Sequence, residues 1–321
     1  MNDKAKKLLE IDLAAESDRI CNEMRMSISR KLRRKGAIVA ISGGIDSSLT
    51  AALAVKALGK ERVIGLMMPE QDSASETAGL SKMLADSLGI RTEFEDISGI
   101  LSSVGCYARR DAAYKATIPE YGDGWKAKIV LPPVTDTDEL RYFSLVALSP
   151  DGEQIKKRLP LDSYLQVVAA TNFKQRVRKM LEYYHADRYN YAVCGTPNKL
   201  EYDQGFFVKL GDGSADVKPI AHLYKTQVYA MAEFLGVPKD ICNRPPTTDT
   251  YSLPQSQEEF YFSLPYDQMD VCLYGVNHNM SAAEIGDILG LTAEQIERVY
   301  TDIAQKRRFS EYLHAAPVLF G

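Results

Sequence analysis

The sequence lacks several patterns that would place it in a common class of protein. Its five cysteines are scattered without a Cys-x-x-Cys pair, and it has only four histidines, which argues against a disulfide framework and a zinc site. No apolar run reaches the ~18 residues that a transmembrane helix needs, and the N-terminus has no apolar signal-peptide core. The formal net charge of -4 argues against bulk nucleic-acid binding. We therefore expect a soluble cytoplasmic protein with reduced thiols and no membrane or nucleic-acid partner.

What the sequence does contain is a regular alternation of strand and helix patterns near its N-terminus. Short apolar runs at residues 37–41, 62–69 and 91–97 predict buried strands, and residues 49–58 and 75–88 between them favour helix. Such a series predicts an α/β fold, a doubly wound parallel sheet with helices on both faces. Ligands of such sheets bind at the carboxyl ends of the strands.

Residues 98–160 interrupt this alternation. They are rich in turn signals and contain a predicted hairpin, in which residues 142–148 pair with a basic segment that follows the turn at 149–153. We predict an inserted flap at 98–160 within a single domain of residues 1–321. Elsewhere the patterns predict helix at 5–34, 161–188, 225–235, 281–289 and 293–307, and strand at 191–194.

The most informative motif is a loop with two glycines between the first predicted strand and its helix. It comprises Ser42, Gly43, Gly44, Ile45, Asp46 and Ser47. Glycine lets the backbone approach a ligand closely, and the first amides of the following helix present the positive end of its dipole. The serines add donors, and Asp46 is a candidate Mg²⁺ ligand. A turn that only connects strand to helix is the alternative, but the flanking strand and helix favour nucleotide binding.

The loop is not of the Walker type, because no lysine follows its second glycine. It resembles the Ser-Gly-Gly-x-Asp-Ser loop of the N-type ATP pyrophosphatases, which cleave ATP between its α- and β-phosphates and leave an adenylated carboxyl or carbonyl group. The resemblance implies that the pyrophosphate cradle consists of Ser42, Gly43, Gly44, Asp46 and Ser47.

A second ordered series of motifs lies in the C-terminal half. Residues 194–201 repeat the strand-to-turn pattern, and a glycine- and aspartate-rich stretch at 205–216 precedes residues 218–228. Together with the first loop, this series resembles the ammonia-dependent NAD synthetases, which amidate deamido-NAD. The resemblance covers roughly two-thirds of the chain, judged by its ordered motifs. It implies an adenine nucleotide alpha hydrolase-like fold, in which the predicted flap at 98–160 is an insertion.

The resemblance also implies roles for individual residues. Asp46 and Glu201 would ligate Mg²⁺ on the ATP phosphates, and with Lys225 they would form the catalytic group. Further contacts to ATP would come from Arg176, Thr196, Lys225 and Thr247. The pocket for the acid substrate would be formed by Asn172, Lys209, Asp212, Asp216, Lys306 and Arg307.

Four of these residues also have a structural alternative. Glu201 could serve as a carboxylate at a helix N-terminus, where the dipole favours it. Asp212 could belong to a hairpin turn, and Lys225 could be a solvated helix residue. Arg176 could lie on a salt-bridged helix face.

Three segments depart from the family pattern. They are the flap at 98–160, residues 255–262, and a longer tail at 310–316, and we expect all three on the acid-substrate side. The leading hypothesis is therefore ATP-dependent amidation of deamido-NAD through an acyl-adenylate, with release of AMP and pyrophosphate. The alternatives are a related amide ligase that adenylates a different carboxylic acid, a nucleotide-sensing module without catalysis, and an RNA-modifying pyrophosphatase.

The resemblance also bears on partners. The sequence contains nothing like a glutaminase domain, so free ammonia or a separate glutaminase would supply the nitrogen. The family commonly forms homodimers with substrate sites near the interface, and by analogy we expect a homodimer here.

Overall fold

The computed structural model of the protein describes residues 2–132, 134, 142–246 and 251–320. The strands are β1 (Ala37–Ala40), β2 (Val63–Met67), β3 (Arg91–Phe94), β4 (Lys126–Val130), β5 (Ser144–Leu148), β6 (Gln154–Arg158) and β7 (Ala192–Cys194). The helices of the N-terminal half are α1 (Asp3–Leu9), α2 (Leu13–Arg25), α3 (Ile45–Leu58), α4 (Ser75–Leu88), α5 (Ser98–Ser103) and α6 (Cys106–Thr117). The remaining helices are α7 (Leu161–Tyr189), α8 (Lys199–Gln204), α9 (Lys225–Phe234), α10 (Lys239–Cys242), α11 (Tyr266–Asn277), α12 (Ala282–Leu289) and α13 (Ala293–His314).

The central sheet is parallel and has the strand order β3-β2-β1-β7. Successive residues of β1 point to opposite faces, as strand geometry requires. Val39 packs in the cluster that contains Leu49 of α3 and Met231 of α9, whereas Ile38 packs in the cluster that contains Val177 of α7. Helices therefore cover both faces of the sheet, and the predicted doubly wound α/β fold is confirmed.

A second, antiparallel sheet of order β4-β5-β6 lies within the predicted flap. The predicted hairpin is present, and the Ser149 amide donates to the Glu153 carbonyl at 2.9 Å across its turn. The inner face of this sheet packs against α6 and α7 in a cluster that includes Tyr114, Ile129 and Val167. The division into one domain with a flap at 98–160 stays a prediction.

The N-terminal segment differs from the single helix predicted at 5–34. It contains α1, an extended break, and then α2, which continues into a π-helical turn at Met26–Lys31. Each helix has its own side-chain N-cap, because Asn2 accepts from the Ala5 amide and Asp12 accepts from the Ala15 amide. Two capping residues ten positions apart thus divide the amphipathic pattern into two helices.

The C-terminal helices α11, α12 and α13 form a separate apolar cluster with α1. Helix α13 continues to His314 rather than ending at residue 307 as predicted. The sequence between 307 and 316 contains neither glycine nor proline to end the helix, and Pro317 is the first such residue. Among the described residues, no helix has the length and apolar character to cross a membrane. The predicted cytoplasmic location stays a prediction.

Candidate active site

A cavity of about 580 Å³ lies at the carboxyl ends of β1, β2 and β7. This is the edge of a doubly wound sheet where ligands bind. Helices α7, α8 and α9 and the segment before α11 form its other walls. The predicted site residues that line it are Ser42, Gly44, Asp46, Ser47, Asn172, Thr196, Glu201, Asp212 and Lys225.

The glycine loop closes tightly between β1 and α3. Gly43 has a φ of +68°, and a Cβ atom there would lie 2.9 Å from Cβ of Leu80. This position therefore requires glycine for both its conformation and its space. The Ser47 hydroxyl accepts from the Ser42 amide at 3.2 Å and donates to the Gly44 carbonyl at 3.0 Å. These bonds hold the N-terminus of α3 at the cavity, which suits it to an anionic ligand.

Asp46 is the centre of the polar group at this N-terminus. One carboxylate oxygen is in contact with the Lys225 ammonium group, and the other accepts from the Asn198 side-chain amide at 2.8 Å. Lys225 is buried at the first position of α9. The three side chains come from α3, the N-cap of α8 and α9 and are far apart in sequence, so the fold itself assembles the group.

Glu201 lies beside Asp46 and is held by two further bonds. Its Oε2 accepts from the Asn198 backbone amide at 3.2 Å, and its Oε1 accepts from the Gln257 side-chain amide at 2.9 Å. Asn198 and Glu201 form a capping box at the start of α8. Glu201 thus has the predicted helix-terminal role, and the same geometry presents its carboxylate to the cavity.

The charges of this group influence one another strongly. Burial, together with the negative charge of Asp46, raises the pKa of Glu201 to about 7. Burial opposes the charged form of Lys225, but Asp46 and Glu201 outweigh it and raise the pKa of its ammonium group. Lys225 therefore stays positively charged while Glu201 titrates near neutrality.

Asp270 fixes the helix that carries Lys225. Its carboxylate is fully buried on α11 and accepts from the backbone amides of Lys225 at 3.1 Å and Thr226 at 2.7 Å. Burial raises the pKa of Asp270 to about 7 in spite of these bonds. The start of α9 is thereby anchored to the C-terminal helical layer.

The donor set suits a magnesium ion that is shared with phosphate. Within the described ranges, no group of three or more His, Cys, Asp or Glu residues could hold a metal by itself. Asp46 and Glu201, however, supply two neighbouring carboxylates, and the charge of Asp46 helps to raise the pKa of Glu201. Magnesium takes one or two carboxylates and completes its shell with phosphate and water oxygens. The residues present therefore fit Mg²⁺ bound together with a nucleotide.

The predicted acid-substrate residues are spread more widely. Asn172 and Asp212 line the cavity, although Asp212 also accepts from the Val208 amide at 2.7 Å within a turn. Asp216 lies outside the cavity lining and accepts from the Val193 amide at 2.8 Å. This aspartate therefore joins the segment after β7 to the sheet.

Three predicted basic residues of the acid pocket also lie outside the cavity lining. The Lys209 ammonium group donates to the carbonyls of Tyr312 at 2.6 Å and Ala315 at 3.1 Å. Lys306 donates to the Tyr261 carbonyl, and Arg307 forms a bidentate pair with an aspartate of α8 at 2.7 and 2.8 Å.

Two further residues, Arg176 and Thr247, were predicted to bind ATP. Arg176 is exposed on α7, where its Nε donates to the Lys209 carbonyl at 3.3 Å, and it lies outside the cavity lining. Thr247 lies outside the described residues. The roles of all the predicted site residues stay predictions.

Sequence reasoning missed several polar groups in the cavity or directly behind its lining. Asn198 was detectable, because an Asn-x-x-Glu spacing before a helix is typical of a capping box. Lys179 and Glu182 form a buried ion pair at 2.6 Å in the cavity wall, and their spacing along α7 was the available signal. Gln257 carries no such signal. It belongs to the segment expected on the acid-substrate side, yet it contacts Glu201.

Comparison with known proteins gives a consistent result. The model of the NAD synthase family matches residues 16–117 and 146–312. The NH3-dependent NAD+ synthetase of Mesorhizobium japonicum is 54% identical over 312 residues, which cover 97% of this chain and 98% of the relative. The enzyme of the same name from Rhizobium meliloti is 55% identical over 311 residues, which cover 97% and 93% of the two chains.

Solved structures with the same fold show much lower identity. The NMN synthetase of Francisella tularensis has a TM-score of 0.62 and 22% identity, with 97% of this chain and 99% of the other covered. The NH3-dependent NAD synthetase of Campylobacter jejuni has a TM-score of 0.62 and 20% identity, with 97% and 100% covered. The family model does not match residues 118–145, which include β4 of the second sheet.

Proposed function

The chain belongs to the NAD synthase family, and we propose that it amidates deamido-NAD with ammonia, cleaving ATP to AMP and pyrophosphate. The observation that carries this proposal is the convergence of Asp46, Glu201 and Lys225 at the N-terminus of α3. An anion-binding helix terminus, two facing carboxylates and a buried ammonium group suit the transfer of an adenylyl group to a carboxylate.

The first step forms the acyl-adenylate. A carboxylate oxygen of the acid attacks the α-phosphorus of ATP, the bond between the α-phosphorus and the bridging oxygen breaks, and pyrophosphate leaves. The glycine loop with Ser42 and Ser47 would hold the departing phosphates against the amides of α3. Lys225 would spread the negative charge that the two reacting anions bring together. Positioning and charge account for this step without a proton-transfer group.

Asp46 and Glu201 would hold Mg²⁺ on the phosphates. When bound, the ion would neutralise phosphate charge and polarise the phosphoryl oxygens. Asn198 contacts both carboxylates, through its side-chain amide to Asp46 and its backbone amide to Glu201. It would therefore fix their separation before the nucleotide arrives.

The second step forms the amide. Ammonia attacks the acyl carbon, the new C–N bond forms, the C–O bond to AMP breaks, and the surplus proton passes to solvent. Water would compete as the nucleophile, so the cavity must exclude it. Two aromatic pairs in its wall suit that task, Phe206 with Tyr261 at a ring separation of 4.8 Å and Phe143 with Tyr164 at 4.5 Å.

A second copy of the chain would complete the site. Four large apolar side chains on one side of α7 are strongly exposed, namely Leu161 (69%), Leu165 (53%), Met180 (55%) and Tyr184 (55%). Arg176 is exposed on the same side between them. Large apolar side chains that are exposed on one side of a helix favour a protein interface there. We infer that a homodimer forms along this side of α7 and that Arg176 of each copy then contributes to the cavity of the other.

The reaction is tested by supplying purified protein with ATP, Mg²⁺, ammonium and deamido-NAD and measuring NAD and AMP. We expect equal amounts of both products, no NAD when glutamine replaces ammonium, and no turnover by the matched variant Asp46→Asn. Pyrophosphate release without NAD would reject deamido-NAD as the substrate. A screen of carboxylic acids by pyrophosphate release would then identify a different acid, as the alternative amide ligase requires.

A further inference from the structure

The cations of the cavity wall differ in how their charge is balanced. Five of them line the cavity in the described part of the chain: Lys174, Arg178, Lys179, Lys225 and Arg244. The three lysines form ion pairs with carboxylates in the structure. Neither arginine forms an ion pair among the described residues, but Arg178 Nε donates to the Met68 carbonyl at 3.4 Å, and the charge of Arg178 acts on the carboxylates of Glu182 and Asp212. Among the described cations of the lining, Arg244 is thus the one whose charge is most available to an anionic ligand.

Arg244 is tied to the helix that carries Lys225. It follows α10, where its amide donates to the Ile241 carbonyl at 3.2 Å. Its own carbonyl accepts from the Tyr229 hydroxyl at 3.1 Å. Tyr229 lies four residues after Lys225 on α9, so the two side chains share one face of the helix. Both line the same cavity as Arg244, which is therefore placed on the side of Lys225 and Asp46.

Cleavage between the α- and β-phosphates leaves an additional negative charge on the departing pyrophosphate. Lys225 is already in contact with Asp46, so its charge is largely compensated before the nucleotide binds. We propose that Arg244 binds the β- and γ-phosphates of ATP and the pyrophosphate that leaves, and that Tyr229 positions Arg244 through its backbone carbonyl. This inference rests on the proposed function of the cavity. A guanidinium group suits the task, because its planar donors can engage two phosphate oxygens at once.

Calorimetric titration with magnesium pyrophosphate and, separately, with AMP tests the inference on the complete protein. For Arg244→Gln we expect pyrophosphate affinity to fall about tenfold or more, because a charge-assisted hydrogen bond is lost, with AMP affinity within about twofold. Arg244→Lys keeps the positive charge but lacks the planar set of donors of a guanidinium group, so we expect its pyrophosphate affinity to lie between those of the unmodified protein and Arg244→Gln. Tyr229→Phe weakens pyrophosphate binding less than Arg244→Gln does and also leaves AMP binding unchanged. Lys239→Gln, which removes an exposed cation from the neighbouring α10, is the matched control and changes neither affinity.

Three results would overturn the inference. They are unchanged pyrophosphate binding in Arg244→Gln, an equal loss for AMP and pyrophosphate, and no pyrophosphate binding to the unmodified protein. The test is separable from that of the proposed reaction. If the unmodified protein makes no NAD but Arg244→Gln loses only pyrophosphate affinity, deamido-NAD is rejected as the substrate. The role of Arg244 in binding pyrophosphate is then still supported.

Discussion

The two halves of the predicted site differ in how completely one chain builds them. On the ATP side, Asp46, Glu201 and Lys225 meet in the cavity, where Lys225 contacts Asp46 and Asn198 donates to both carboxylates. Among the residues predicted for the acid substrate, Lys209 and Arg307 lie outside the cavity lining and bond to other parts of the same chain. The group of Asp46, Glu201 and Lys225 is thus assembled within one chain, whereas Lys209 and Arg307 bond elsewhere in the same chain.

The difference follows from where each set of residues originates. Strand ends and helix starts converge at the carboxyl edge of a parallel sheet, so the glycine loop and α8 must face one another. Arg307, which was predicted for the acid substrate, lies by contrast on α13 in the C-terminal layer, and Arg176, which was predicted for ATP, lies in the middle of the long helix α7. Nothing in the sheet topology directs these side chains into the cavity of their own chain.

The largest expected effect concerns the organised half. Asp46→Asn and Glu201→Gln each keep the side-chain volume but remove a charge, and we expect kcat to fall about a thousandfold or more. Exchange of labelled pyrophosphate into ATP measures adenylation alone, and it should fall to the same extent. Thermal unfolding of each variant serves as the control for folding. Turnover within tenfold of the unmodified protein would remove these carboxylates from the mechanism.

The second prediction tests whether the partner completes the site. Arg176→Gln should lower kcat/KM about tenfold, because a charge-assisted contact to the nucleotide is lost. Dimers reassembled from equal amounts of Arg176→Gln and Asp46→Asn should regain about a quarter of the unmodified activity, because half of the dimers are mixed and each has one intact site. If the mixture is no more active than the average of the two variants, Arg176 does not act across an interface.

The third prediction concerns pH. Because the pKa of Glu201 is about 7 without metal, its carboxylate must lose a proton before it can bind Mg²⁺ at lower pH. Apparent Mg²⁺ affinity should therefore fall about tenfold per pH unit below 7 and level off above it.

The raised pKa of Glu201 also means that the metal-free folded state keeps a proton that the unfolded chain releases. The contribution of Glu201 to stability should thus decrease as pH rises from 4.5 to 7, and Glu201→Gln should abolish that component. Calorimetric titration with Mg²⁺ and thermal unfolding at each pH measure the two effects.

The smallest effect is expected for a residue of the acid side. Arg307 pairs with Asp203 at a partly exposed site, so Arg307→Gln should lower the free energy of unfolding by about 1 kcal/mol or less. If Arg307 also binds the acid, the KM for deamido-NAD should rise several-fold while the KM for ATP stays constant. Asp203→Asn is the matched control, because it breaks the same pair and keeps the cation. An equal rise of KM in both variants would indicate that the pair acts only on structure.

Much of the ATP side could be predicted from the sequence, because local patterns determine it. Strand, glycine loop and helix follow each other directly, and the Gly43 conformation is fixed by its neighbours. The capping role of Asn198 could have been predicted from the Asn-x-x-Glu spacing before α8. The contact of Gln257 with Glu201 was not, because it depends on how residues 255–262 fold back over α8, and no local periodicity encodes that path. The break between α1 and α2 was missed because two caps outweighed a continuous amphipathic pattern.

The central claim is that this cavity transfers an adenylyl group to a carboxylate before ammonia attacks. Deamido-NAD labelled with oxygen-18 in its nicotinate carboxylate tests it directly when the products are analysed by mass spectrometry. We predict that one labelled oxygen of the carboxylate appears in the phosphate of AMP, that the other stays in the amide of NAD, and that pyrophosphate carries none. Label in pyrophosphate or in inorganic phosphate, or unlabelled AMP formed together with NAD, would contradict the account.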